Sequence, residues 1–188
     1  VGQFGSGPYG QYGSSNFFVC SGFQYIYQID TFSFRLSKSS INFGELTPLT
    51  HETDSLDMAI TTRGAGGYSV YAYQAHALRH SNGTDEIPNT TCDAADCTHV
   101  TAGVWTNQSI DGFGYTMSGN DVPAEFTNTT YFKSFADQEL LQPMQVVMSS
   151  SNIANQRLAT ATYKAGILGD QASGSYETAI TYIAVPGY

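Results

Sequence analysis

The C-terminal stretch from Leu158 to Tyr188 constrains the fold more than any other part of the chain. Leu158, Thr160, Thr162, Lys164 and Gly166 alternate with Ala159, Ala161, Tyr163, Ala165 and Ile167, so apart from Leu158 one face is polar and the other apolar. A two-residue period of this kind marks a half-buried strand. Gly169, Asp170, Ser173, Gly174 and Ser175 then punctuate a loop, and Tyr176 to Val185 resumes with Tyr, Ile, Thr and Val, which favour a pleated surface. The two runs predict an antiparallel hairpin. In the second run Ile180, Tyr182, Ile183 and Val185 occupy both parities, which predicts cover on each of its faces. Pro186 cannot donate to a ladder and ends the strand.

The same strand chemistry recurs upstream. Phe32, Phe34 and Leu36 alternate with Ser33, Arg35 and Ser37, and Ile41, Phe43 and Leu46 make a shorter run broken by Gly44 and Pro48. Leu56, Met58, Ile60 and Thr62 alternate with Asp57, Ala59, Thr61 and Arg63 and lead into Gly64-Ala-Gly-Gly67, whose glycines supply the positive-φ positions of a tight connection. With Tyr68–Tyr73 returning as a strand, this predicts a second hairpin. Residues 74–110 lose the alternation and are rich in Asn, Thr, Asp and Gly, with Trp105 as their one obvious anchor. A stretch this long without periodic elements reads as a functional excursion or a decorated surface loop. Phe113, Tyr115 and Met117 restore the alternation, and Pro143–Met148 gives one more short strand. No segment shows a capped helical period, so helix is confined to a turn or two near Ala136–Leu141. The expectation is an all-β protein: an antiparallel β-sandwich, jelly-roll or immunoglobulin-like, with an extended N-terminal strand and a long disulfide-containing loop. Its parts are an N-terminal extension over residues 1–22 and a sandwich over residues 23–188.

The first sixteen residues, VGQFGSGPYGQYGSSN, interleave glycines with Phe4, Tyr9 and Tyr12, and Phe17 and Val19 begin a β-favouring run. Alone, such a segment buries too little apolar surface to offset its ordering entropy. It reads as a strand donated to the sheet edge of another subunit, anchored by Phe4, Tyr9, Tyr12, Phe17 and Val19, or else as a tail folded back on its own domain.

Composition sets the compartment and excludes several classes. Only 12% of residues are charged, and the net charge of -9 with scattered Lys and Arg offers no footprint for a phosphate backbone, so nucleic acid is excluded as a partner. No apolar run is long enough to span a bilayer, and no basic-then-apolar leader opens the chain, which places its start at a processed, mature end. Cys92-Asp-Ala-Ala-Asp-Cys97 can close a small ring, so a Cys92–Cys97 disulfide is expected, and with it an oxidising, extracellular setting. Cys20 is left over, buried or free for intermolecular pairing. Asn82-Gly-Thr84, Asn89-Thr-Thr91, Asn107-Gln-Ser109 and Asn128-Thr-Thr130 are acceptor patterns for N-linked glycans, which makes covalent glycans at Asn82, Asn89, Asn107 and Asn128 the expected modification.

Catalytic motifs are missing. The chain has no phosphate-binding glycine loop, no His-Glu-x-x-His and no Gly-x-Ser-x-Gly elbow. His76 and His80 flank a strand end, and His51, Glu52 and Asp54 lie in a Thr-rich run, so both groups read as solvated. Asp85, Glu86, Asp93, Asp96 and Asp111 are hard oxygen ligands of the kind Ca²⁺ takes, but they lack the fixed spacing of an EF-hand and read as an acidic surface. Glu125, Glu139 and Glu177 offer carboxylates for sugar hydrolysis without any sequence sign of a paired geometry. Lys38, Lys133 and Lys164 are candidates for a Lys–Asn or Lys–Asp crosslink, and the polar parity of Lys164 predicts an exposed amine instead. Neither enzyme nor cofactor is expected.

The runs Ile41-Asn-Phe-Gly-Glu-Leu-Thr-Pro48, Gly66-Gly-Tyr-Ser-Val-Tyr-Ala-Tyr73, Gly112-Phe-Gly-Tyr-Thr-Met-Ser-Gly119 and Gly174–Pro186, taken in order, resemble a β-sandwich module of secreted surface proteins from candidate-phylum and related bacteria. The resemblance implies a secreted sandwich at the cell surface. More remotely, a sandwich behind a Tyr- and Gly-containing tail is similar to TasA-type biofilm-fibre subunits and archaeal bundling pilins, in which the N-terminal strand of one subunit completes the next. That similarity implies a homopolymeric extracellular filament. The competing expectation is a monomeric adhesion or sugar-binding module in which Tyr71, Tyr73 and Trp105 form an aromatic platform beside the acidic loop.

Overall fold

The computed structural model describes residues 32–187, together with the backbone of Gln11–Ser14 and Phe17–Cys20. The chain divides into two units, Val1–Thr31 and Phe32–Tyr188. In the first, β1 (Gln11–Ser14) and β2 (Phe17–Cys20) pair antiparallel, with Tyr12 opposite Val19 and Ser14 opposite Phe17, and form a sheet of their own. Phe4 and Tyr9 of the expected donor strand lie outside the described residues, as does any extended course of the tail before residue 11.

The second unit holds β3 (Ser33–Leu36), β4 (His51–Thr62), β5 (Tyr68–Gln74), β6 (Leu78–His80), β7 (Glu86–Ile87), β8 (Gly103–Val104), β9 (Gly112–Gly119), β10 (Tyr131–Phe132), β11 (Gln145–Ser150), β12 (Ala154–Gly166), β13 (Tyr176–Glu177) and β14 (Ile180–Pro186). Two sheets dominate, a four-stranded one ordered β3-β4-β12-β9 and a three-stranded one ordered β11-β5-β14, and every pair in them is antiparallel. They face one another as a β-sandwich. Leu56, Met58 and Ile60 of β4, Phe113, Tyr115 and Met117 of β9 and Tyr163 of β12 share one buried core with Val70 and Ala72 of β5 and Val147 and Met148 of β11. Each Leu, Ile, Val, Phe or Met among them contributes about 1.5–3 kcal/mol on leaving water. Small Ala159, Ala161 and Ala165 on the central strand β12 leave space for rings to stack across it, with Tyr115 4.0 Å from Phe135 and Phe113 6.3 Å from Tyr163 between centroids. Across the sandwich the Tyr163 and Tyr182 hydroxyls meet at 2.5 Å. No helix occurs among the described residues, and Gln138–Leu141 is a plain turn.

Two expected hairpins are absent. β12 pairs with β4 and β9, whereas β14 pairs with β5 in the opposite sheet, so the two C-terminal runs face each other across the core. The loop between them is long enough to cross the roughly 10 Å that separates packed sheets. Likewise β4 and β5 belong to different sheets. The turn between them is the tight one that the glycines suggested: Gly67, at φ +75°, donates its N–H to the Gly64 carbonyl at 3.1 Å, and an added Cβ there would overlap the Ser150 carbonyl. The turn therefore carries the chain from one layer to the other. Ile41–Leu46 packs on the core without forming a strand.

Candidate functional site

The outer faces of the two sheets differ, and the difference defines the candidate site. Among the described residues only one face of the last strand is covered, where cover on both was expected. Ile180, Tyr182 and Ala184 of β14 pack on the core, while Ile183 and Val185 are 36% and 44% exposed on the other side. Register sets Ile183 opposite Tyr71 and Val185 opposite Ser69 on β5, and on the far side of β5 Val146 opposes Tyr71. An open cleft of about 400 Å³ runs over this face, lined by Ser69, Tyr71, Ser149, Val185 and Gly187 among others.

β14 also ends its sheet. Ala75 donates to the Ala179 carbonyl at 2.9 Å and Gly187 to the Gly67 carbonyl at 2.8 Å, which fixes the odd-numbered residues of β14 as the hydrogen-bonded partners of β5. The N–H groups of Ile180, Tyr182 and Ala184 therefore point away from β5, and among the described residues no strand pairs with them. Pro186 bounds the row, having no N–H to offer.

The outer face of the four-stranded sheet is capped at the end that holds His51, Lys164 and Gly114, while Thr53, Ser55, Asp57 and Leu158 stay exposed. Cys92 and Cys97 form the expected disulfide, with a Cα–Cα distance of 5.5 Å, and they pack with Trp105 and Phe132 in a small second core against which Ile110 rests. This cap is held to the sheet at three points. Lys164 of β12 donates from Nζ to the Trp105 carbonyl at 2.7 Å and lies 3.7 Å above the Phe132 ring. The His51 ring of β4 packs tilted against Trp105 at 4.7 Å between centroids, with its Nε2 3.0 Å from the Ile110 carbonyl that also accepts from the Trp105 indole N–H. Thr90 and Phe113 bond through their backbones beside Gly114, where any Cβ would strike the Thr90 methyl and the Lys133 carbonyl. Lys164 is thus half-buried where an exposed amine was expected. Desolvation lowers its pKa to about 8, with Asp93 opposing the shift. Burial pushes the Asp93 carboxyl up, but N–H groups of Asn107 and Thr106 and the Thr106 hydroxyl outweigh it and hold the pKa below the ordinary value.

The other singled-out residues are kept apart. Trp105 is fully buried under the cap, so it forms no platform with Tyr71 and Tyr73, which stand on the other sheet. Glu125 pairs with Lys133 and Glu139 with Arg79, which leaves the two carboxylates on separate cations. Lys38 pairs with Asp54. His76 bonds the Ala77 carbonyl, whereas the His80 ring packs tilted against Tyr176. No group of acidic, His or Cys side chains suited to a metal occurs among the described residues. Asp85 bonds Asn82, Asp93 bonds Thr106 and Asn107, and Glu86 bonds Arg79. Of the glycan acceptor asparagines, Asn82, Asn107 and Asn128 are exposed, and Asn89 is partly buried with its Oδ1 accepting from Gln74. No helix of the described residues is long and apolar enough to cross a membrane.

Sequence reasoning missed the open edge and the cap. The cap left one trace, the small residues Gly112, Gly114 and Thr116 alternating with Phe113, Tyr115 and Met117, which signals close approach from outside. The bare face left none, because apolar residues on both parities of β14 read as burial. Comparison with protein families, with curated proteins and with solved structures returns no match for this chain.

Proposed function

We propose that this chain is a structural subunit of an extracellular filament, a pilus or biofilm fibre, in which each copy donates its N-terminal segment as a strand to the next. One observation carries the reading: the chain divides into Val1–Thr31 and the sandwich unit, and among the described residues β1 and β2 of the first unit pair only with each other. A lone two-stranded hairpin is marginal in water and needs a further strand or packed layer to persist. A neighbouring copy supplies one, and a head-to-tail contact of this kind propagates without closing. The buried Cys92–Cys97 disulfide supports an oxidising, extracellular setting, and exposed Asn82, Asn107 and Asn128 are accessible to glycans. The likeness to secreted bacterial sandwich modules, and more remotely to TasA-type fibres and archaeal bundling pilins, points the same way. This reading gives the chain no catalytic role and no cofactor. The adhesion alternative loses its platform with Trp105 buried.

Negative-stain electron microscopy of the full chain tests the proposal. Filaments are expected, and full-chain Phe17→Asp/Val19→Asp should give dispersed particles. A wild-type protein that remains dispersed at every concentration overturns it.

A further inference from the structure

Every strand edge in the sandwich must be paired, covered or otherwise blunted, or it will template another chain. The β9 edge is covered by backbone bonds to Pro88, Thr90 and Lys133. The β14 edge carries no such cover among the described residues, and it carries no charge: Ile180–Pro186 reads Ile-Thr-Tyr-Ile-Ala-Val-Pro. Tyr71, Tyr73, Val146 and Ser149 extend the uncharged surface across the sheet. This is unusual on a chain of net charge -9, whose copies repel wherever their acidic surfaces meet.

The chain holds one segment of matching chemistry. No Asp, Glu, Lys, Arg or His precedes Asp30, and the first unit up to that residue is built of Gly, Ser, Gln, Asn, Tyr, Phe and other uncharged types. Within it, Phe17-Phe18-Val19-Cys20 is already a strand of 4 residues. Its length fits the row of outward donors at Ile180, Tyr182 and Ala184, which Pro186 closes at one end. Residues 21–31 separate it from Phe32 and, fully extended, reach about 35 Å, enough to cross to a second body.

We infer that β14 is the acceptor edge: Phe17–Cys20 of a second copy adds as a fourth strand beside Ile180–Pro186, next to exposed Ile183 and Val185, and brings its paired β1 with it. The inference rests on the filament reading and assigns its contact. Main-chain bonds supply the affinity of such an addition, and the exposed side chains of the face set its register. With β1 still paired to β2, the hairpin extends the three-stranded sheet to five strands.

Full-chain variants separate the inference from the reading beneath it. Ala184→Pro removes one outward N–H without touching a bond to β5, and Ile183→Lys puts a charge on the bare face. Ser55→Lys puts the same charge on the other sheet as a control. The critical concentration for polymerisation should rise more than about tenfold for Ile183→Lys and for Ala184→Pro and stay unchanged for Ser55→Lys. In wild-type polymer the amides of Tyr182 and Ala184 should exchange more than about tenfold more slowly than in monomer. Should Ala184→Pro fail to fold, Ile183→Lys and the exchange measurement decide. Filaments that survive Ile183→Lys with fast-exchanging Tyr182 and Ala184, yet vanish in Phe17→Asp/Val19→Asp, overturn the acceptor edge and leave donation standing. Filaments that survive the tail variant as well overturn both.

Discussion

The two sheets of this sandwich present outer faces of opposite character. On the four-stranded sheet a disulfide-tied excursion lays Trp105 over Lys164 and His51, and small residues of β9 let its backbone come close. On the three-stranded sheet Ile183 and Val185 are exposed and Tyr71 is half-buried, beside an edge with which no strand pairs among the described residues. The lesson lies in how each face handles exposed β-structure. The first uses chain length, a covalent ring and a buried tryptophan to cover the part of its surface around His51 and Lys164. The second leaves Ile183 and Val185 exposed beside an edge with which no strand pairs among the described residues.

Removing Trp105 strikes at the first strategy hardest. It is fully exposure-free and central to a core of few members, so Trp105→Ala should cost about 3–5 kcal/mol in the stability of the cap. Hydrogen exchange resolved by segment would show residues 88–110 losing protection while β4, β12 and β5 keep theirs. Loss spread evenly over both sheets would mean that the cap and the sandwich form a single cooperative unit, and the contrast between faces would weaken.

How much of this was legible in the sequence follows from the range of each interaction. Strand periods survive because side-chain alternation is local: Thr160, Thr162 and Lys164 do oppose Ala159, Ala161 and Tyr163 in burial. The disulfide is visible because its two cysteines are five apart. Pairing is not local. Gly64–Gly67 has the chemistry of a tight turn whether the strands that follow it pair or pass to facing sheets, and no residue in the turn distinguishes these. For the same reason Lys164, polar by parity, gave no sign of the tryptophan carbonyl that lies above it. Ile183 and Val185 misled in the reverse sense, since hydrophobicity alone reports a surface that wants cover and is silent on when the cover comes.

The middle-sized test concerns that lysine. Its folded pKa of about 8 lies below the ordinary value near 10.4, so between those limits the unfolded chain binds more protons than the folded one. Stability from this group therefore rises with pH across the window and is lowest at neutral pH, where the buried amine is held charged. Discounted for solvent screening at a half-exposed position, the gain amounts to about 1 kcal/mol. Thermal melts between about pH 7 and about pH 9.5, below the range in which buried tyrosines begin to ionise, should climb for wild type relative to Lys164→Met. Parallel pH profiles would show that the cap leaves the amine in free contact with water.

The smallest expected effect on stability probes the bare face. Ile183→Thr shortens a side chain that is already 36% exposed, keeps the β-branch that suits a strand, and touches no core residue of the facing sheet. The melting free energy of the isolated subunit should change by less than about 0.5 kcal/mol, within the range of ordinary surface substitutions. Set beside Trp105→Ala, that gives close to a tenfold ratio between apolar residues on two outer faces of one sandwich. The ratio has a direct physical meaning: Trp105 has already collected its burial energy within the fold, and Ile183 has not. If Ile183→Thr instead costs 2 kcal/mol or more, on the scale of a core deletion, then the residue is covered within its own chain and the asymmetry of the two faces disappears.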